Sequence, residues 1–243
     1  MASLKEVKGR IASVNSTRKI TSAMKMVASA KLHKAQAAIE SMLPYERRLH
    51  HILTDFMSNC TEVTSPFIVK REVKKVAVVV FASNTRLCGG FNANVIRHLV
   101  DLLAEYKPLG LENILVFPVG KKVADAVRKL GFRIEGDFQH MADKPSYQEA
   151  ADLAADLMKR FLHGDVDKVE LLYNHFKSTA SQILTRETYL PIDLNNEKKE
   201  EERTIDYILE PSAEELMQEM LPKVLRMKMF TVLLDSNAAE HAA

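Results

Sequence analysis

The chain has 243 residues, 47% of them hydrophobic and 27% charged, with a formal net charge of +2; this excludes global disorder and fits one large domain with appendages. The longest purely apolar run, Val76 to Ala82, is seven residues, far short of the ~18 that a membrane helix needs. Two distant cysteines, Cys60 and Cys88, exclude a disulfide scaffold or a metal knuckle and predict a soluble chain in a reducing compartment.

Residues 4 to 59 hold one glycine and one proline and are rich in Ala, Lys, Met, Glu and Leu, a composition of good helix formers. Apolar residues recur at Leu4, Val7, Ile11 and Val14, then at Ile20, Met24, Val27 and Ala28, then at Leu32, Ala35, Ile39 and Met42. The spacings of three and four predict a coiled-coil stripe with a phase slip between Val14 and Ile20. Pro44 is expected to bend this helix or remove one hydrogen bond without ending it. At 1.5 Å per residue such a helix reaches roughly 80 Å and must protrude from the rest.

Its first part is strongly basic: residues 1 to 34 carry Lys5, Lys8, Arg10, Arg18, Lys19, Lys25, Lys31 and Lys34 against Glu6 alone. A solvated face or a transit peptide would also be basic. The apolar period, however, continues past Lys34 without a cleavage-like break. The first 44 residues contain no aromatic side chain, which disfavours nucleic acid and points to an acidic protein surface as partner.

From Val73 the pattern changes. Seven of the eight glycines lie between Gly89 and Gly164, so turns concentrate in the middle of the chain. Strands are predicted at Val76–Phe81, Asn113–Val119, Lys168–Phe176 and Ile183–Leu190, and helices at Asn92–Tyr106, Lys121–Leu130 and Tyr147–Leu162. This alternation predicts an open α/β sheet of Rossmann-like type. Asp193 to Arg203 carries five acids and three bases and reads as an exposed loop, and Ile205–Leu209 as one more strand. Pro211 and Ser212 then open a last helix with Leu216, Met220, Val224, Met227 and Leu234 on its apolar face. It meets no stop signal before Ala243, which suggests a missing continuation. The expected architecture is an α/β domain over residues 73–210. It is inserted between an N-terminal helix (1–60) and a C-terminal helix (211–243), which pair as an antiparallel coiled coil.

No catalytic constellation emerges. Leu87-Cys88-Gly89-Gly90-Phe91-Asn92 stands between a strand and a helix, where a phosphate loop would sit, but lacks GxGxxG and GxxxxGK[ST] spacing. Gly120-Lys121-Lys122 fails in the same way. Cys88 has no catalytic-cysteine signature around it. His50 and His51 point to different helix faces, and His98, His140, His163 and His175 have no ligand spacing. No cofactor and no metal are expected.

Met1 to Lys8 together with Arg18-Lys-Ile-Thr-Ser-Ala-Met-Lys-Met-Val-Ala28 closely resembles the N-terminal signature of the gamma subunits of F-type ATP synthases. Ser83 to Asn92, Tyr173-Asn-His-Phe176, Tyr207-Ile-Leu-Glu-Pro211 and Ala239-Glu-His241 resemble later motifs of that family, in order. The resemblance implies a non-catalytic rotor shaft that couples proton-driven rotation of a c-subunit ring to ATP synthesis on beta subunits. Its implied partners are the alpha and beta subunits of the head, the epsilon subunit and the c ring. The membrane is reached only through the complex, at the cytoplasmic face of a bacterial cell membrane, and no nucleic acid is bound. It implies a rotor–head surface at Lys19, Ile20, Thr21, Met24, Lys25 and Val27, and a foot surface at Tyr207 and Glu210 facing the c ring. Three departures from the family pattern stand out: Asn84-Thr85-Arg86 replaces Asp-Lys/Arg-Gly, Leu209 replaces an aromatic residue, and the chain stops short of the usual C-terminal tip. The competing readings are an α/β nucleotide-binding enzyme with a helical dimerisation arm and a basic coiled-coil adaptor for nucleic acid.

Overall fold

The computed structural model describes residues 3–59, 65–192 and 213–243. Helix α1 (Leu4–Asn59) is continuous and passes through Pro44, its first turn closed by the Glu6 and Val7 amides donating to the Ser3 carbonyl at 2.9 and 3.0 Å. The middle of the chain follows as β1 (Val76–Phe81), α2 (Phe91–Tyr106), β2 (Ile114–Val119), α3 (Lys121–Leu130), β3 (Arg133–Ile134), α4 (Gln139–Asp143), α5 (Tyr147–His163), β4 (Lys168–Ser178) and β5 (Ser181–Leu190). Helix α6 (Ala213–Ala242) closes the chain. Positions 193–203 and 205–209, expected as loop and strand, lie outside the described residues.

The five strands form one sheet in the order β3-β2-β1-β4-β5. β1 pairs in parallel with β2 and β4, β3 is parallel to β2, and β5 returns antiparallel to β4. All six residues of β1 are buried because helices cover both faces, so an unbroken apolar run replaces alternation. Val76, Val78 and Val80 face α2 and α3 with Val95, Leu99, Val123 and Val127. Ala77, Val79 and Phe81 face the other way, toward Leu153, Leu157 and Phe161 of α5 and Leu221, Leu225 and Met229 of α6. Helix α6 is therefore a layer of the α/β domain as well as a partner of α1.

The two terminal helices run antiparallel. Ala35 and Ile39 of α1 meet Leu234 and Ala238 of α6, and Met42 and Leu43 pack beside them with Phe230. Lys228 of α6 bridges Glu46 of α1 at 4.0 Å and Glu187 of β5 at 3.4 Å. Squeezed between α1 and the sheet, α6 is buried at nine consecutive positions, 231 to 239.

At the far edge of the sheet, Glu170 of β4 is 2% exposed. It accepts from Arg186 (Nε, 2.9 Å) and Tyr106 (Oη, 2.8 Å) and pairs with Lys168 at 2.6 Å. Burial pushes its carboxyl up, but the hydrogen bonds from Arg186, Lys168 and Tyr106 outweigh that and hold it below the usual range. The network ties α2 to β4 and β5.

Candidate functional site

Every described residue of α1 from Leu4 to Lys31 is exposed, and Ala35 is the first to be buried. Among the described residues the cover on α1 comes from α6, whose last turn stands beside Lys31, a residue whose charge acts on both Glu240 and His241. Beyond that point no described residue covers the apolar stripe of α1, and Leu4, Ile11 and Val14 are 73%, 55% and 66% exposed. A bare helix of this kind is marginal in water unless something seats on it.

Helix α1 does not break at the phase slip, so the slip becomes a change of face. Six residues at about 100° each rotate the stripe by about 120°, so Ile20 lies well round the helix from Val14. The arm thus carries two apolar faces at two heights: Leu4, Val7, Ile11 and Val14 on one, and Ile20, Met24 and Val27 on the other. The second face is fully presented, with Ile20, Met24 and Val27 at 63%, 52% and 57% exposure. Lys19 and Lys25, both exposed, flank it on its two sides. Thr21 lies beside it with its hydroxyl donating back to the Thr17 carbonyl at 2.9 Å. Among the described residues of the arm, Arg10 pairs with Glu6 at 2.7 Å on the exposed surface, a contact of little energetic weight. Lys5, Lys8, Arg18, Lys19 and Lys25 have no ion-pair partner among the described residues.

The other sites considered from sequence resolve differently. In the Leu87–Asn92 turn, the Asn92 side chain donates to Ser83 Oγ and the Thr85 carbonyl, both at 2.9 Å, and its Oδ1 accepts from the Ser83 amide at 3.0 Å. Cys88 and Phe91 are buried against Ala239 of α6, and a Cβ at Gly89 (φ +51°) would stand 3.4 Å from the Ala243 carbonyl oxygen. The crevice of a doubly wound sheet opens where strand order reverses, here between β1 and β4. The end of α6 fills it. At the start of α3 the Lys121 amide donates to Asn84 Oδ1 at 2.7 Å, the Lys122 amide to the Ser83 carbonyl at 3.2 Å, and Asn84 Nδ2 to the Gln139 carbonyl at 2.8 Å. Those donors are spent on the fold and leave no phosphate cradle. Asn84, a departure from the family pattern, supplies a donor toward Gln139 that an aspartate lacks. Tyr207 and Glu210 lie outside the described residues. Among the described residues no cluster of His, Cys, Asp or Glu is arranged to hold a metal, and no helix is long and apolar enough to cross a membrane.

A family described as ATP synthase matches residues 3–243. The chain is 79% identical to the ATP synthase gamma chain of Phocaeicola vulgatus and 60% identical to that of Bacteroides thetaiotaomicron, in each case over all of this chain and 85% of the relative. The chain belongs to the ATP synthase gamma-chain family. Among solved structures, the central stalk and c-ring assembly of the Tetrahymena thermophila mitochondrial ATP synthase contains a chain of the same fold. Its TM-score is 0.64 at 21% identity, covering 92% of this chain and 95% of that one. A gamma chain is the rotor shaft of the synthase, non-catalytic itself. It is peripheral to the membrane, held there by the complex. The sequence reading passed over the polar side chains that fasten α6 to the domain, Asp235 and Asn237. Their one visible signal is an acid and two polar residues interrupting the apolar stretch from Val232 to Ala239.

Proposed function

We propose that the bare basic arm is the part of the shaft that enters the catalytic head of alpha and beta subunits, with Lys19, Ile20, Thr21, Met24, Lys25 and Val27 meeting acidic loops of the beta subunits. The observation that carries this reading is the charge of the arm, where Lys5, Lys8, Arg18, Lys19 and Lys25 are exposed and have no ion-pair partner among the described residues. An apolar strip flanked by unpaired lysines fits a partner that is apolar at its centre and acidic at its rim. Rotation of such an asymmetric arm presents different faces in turn to the subunits around it, which is how a shaft without an active site changes nucleotide affinity elsewhere.

The opposite end of the α/β domain serves as the foot in this reading. Tyr207 and Glu210 meet the c ring in this reading, next to the epsilon subunit, at the cytoplasmic face of a bacterial membrane. The chain divides functionally into the arm of residues 1–60, the domain of 73–210 and the C-terminal helix of 211–243.

Charge reversal tests the arm. Lys19→Glu with Lys25→Glu is expected to weaken co-purification with alpha and beta subunits or to uncouple hydrolysis from proton pumping, while circular dichroism of the chain stays unchanged. Exposed pairs contribute only about 0.2–1 kcal/mol each, so single neutral substitutions are expected to be tolerated. Normal assembly and coupling after the double reversal would remove this surface from the reading. For the foot, Glu210→Cys is expected to cross-link to cysteines placed in c-subunit polar loops, and exclusive cross-linking to alpha or beta would reverse the assigned direction.

A further inference from the structure

Among the described residues α1 meets the remainder mainly through its Ala35–Leu43 patch, which packs on α6, so torque between domain and shaft crosses the contacts of α6. Most of those contacts are apolar: Met217, Leu221, Leu225, Met229, Val232 and Leu233 all sit in the core shared with the sheet and α5. Apolar packing is non-directional. It resists separation of a helix from a sheet more than it resists a small roll of the helix about its own axis. Directional hydrogen bonds resist the roll.

Asp235 supplies them. β4 continues to Ser178, whereas its last partner on β1 is Leu172, paired with Val80. From Tyr173 onward, therefore, β4 has no neighbour on that edge, and its outward amides need acceptors. The Asp235 carboxylate, 7% exposed as a residue, is seated there. Oδ1 accepts from the Phe176 amide at 2.8 Å, and Oδ2 lies 2.6 Å from Nδ1 of His175. Two residues further on, Asn237 Nδ2 donates to the Ala142 carbonyl of α4 at 3.0 Å. Near the middle of the helix, the Tyr189 hydroxyl of β5 donates to the Leu225 carbonyl at 2.7 Å. Helix α6 is thus fixed to three elements, and Asp235 holds two of the bonds.

We propose that Asp235 is a positioning residue for rotary coupling: seated on the open edge of β4, it stops α6 from rolling against the sheet, so that rotation of the domain is delivered to the shaft without slip. The proposal rests on the shaft role of the gamma chain and is independent of the docking faces assigned to the arm.

The test uses the assembled synthase in inverted membrane vesicles, reading ATP hydrolysis and ATP-driven proton pumping side by side. Asp235→Ala removes both acceptors; the expected result is hydrolysis retained with a loss of pumping per ATP. Asp235→Asn keeps an acceptor for the Phe176 amide and an amide donor toward His175, and is expected to restore the ratio. His175→Ala removes one bond at a half-exposed side chain and is expected to give an intermediate ratio. It decides the matter where Asp235→Ala fails to assemble. An unchanged pumping-to-hydrolysis ratio in the assembled Ala variants, or a loss in Asp235→Asn as large as in Asp235→Ala, would overturn the proposal. Loss of co-purification reports on the docking of the arm, whereas the Asp235 variants are scored only in synthase that assembles normally with an unaltered arm, so failure of the docking reading leaves this ratio test intact.

Discussion

Helices α1 and α6 stand at opposite ends of the same sequence, both are long and methionine-bearing and both run unbroken through an interior proline, and yet they live in opposite surroundings. From Leu4 to Lys31, α1 has solvent on every side; from Thr231 to Ala239, α6 has protein on every side. The difference is one of what each helix is offered. α6 lies between a sheet face and α1, and it can bury small residues such as Ala238 and Ala239 completely. The arm is offered nothing by its own domain and retains its charges. Apolar stripes of similar spacing therefore mean core in one helix and interface in the other, and the neighbouring charges separate the two cases.

That contrast can be broken experimentally, most strongly at α6. Leu221 is fully buried, and Leu221→Ala is expected to cost about 2–5 kcal/mol in chemical denaturation of the chain. A loss under 1 kcal/mol would mean that α6 is not part of the core. At the seam between the two helices, Ile39 is 4% exposed. Ile39→Ala is expected to cost about 2 kcal/mol, less than the core site because α1 is free to settle against α6.

The junction where cover ends has its own pH signature. Burial, with Asp143 adding to it, raises the Glu240 carboxyl from 4.5 to about 7, and Lys31 opposes the rise. The folded value lies above the unfolded one, so the contribution is full below about 4.5 and is lost as pH rises through 7. Glu240→Gln is expected to recover about 1–2 kcal/mol at pH 8 and almost nothing at pH 4. An equal effect at both pH values would contradict the buried setting. The Glu170 network has the opposite sign. Its pKa is held below 4.5, so its contribution is present above that value and disappears as pH falls through the folded pKa; Glu170→Gln is expected to flatten acid unfolding in this range.

The smallest effect sharpens the contrast from the other side. Ile20→Ala, at a site 63% exposed, is expected to change stability of the isolated chain by no more than about 0.5 kcal/mol, yet to weaken its association with the catalytic head. Equal stability losses at Ile20 and Leu221 would show that the arm is packed in solution.

What the sequence disclosed followed from strong local signals. Helix α3 was legible from end to end because Gly120 (φ +112°) precedes it and Gly131 (φ +78°) caps it. The run Val76–Phe81 announced a doubly covered strand. Strand β3, with two residues, and helix α4, with five, are too short to impose a period on the sequence, and both went unpredicted. The arm was visible from eight basic residues against one acid in the first 34. The fastening of α6 was not legible. Asp235 finds its partners 59 and 60 residues earlier in the chain, and no local pattern encodes a carboxylate meeting a strand edge at that distance.

The dual burial of α6 has a consequence for synthesis. One face of the sheet, with Ala77, Val79 and Leu171, is completed by residues of α6, a helix that begins only at Ala213. On the ribosome the strands are made first, and this apolar face, together with the overhanging edge of β4, emerges well before its cover. The domain is therefore not fully covered when β5 is made and must wait for α6, an interval in which it is open to chaperones and to edge-to-edge association. Rapid translation from Leu190 to Ala242 would shorten that exposure.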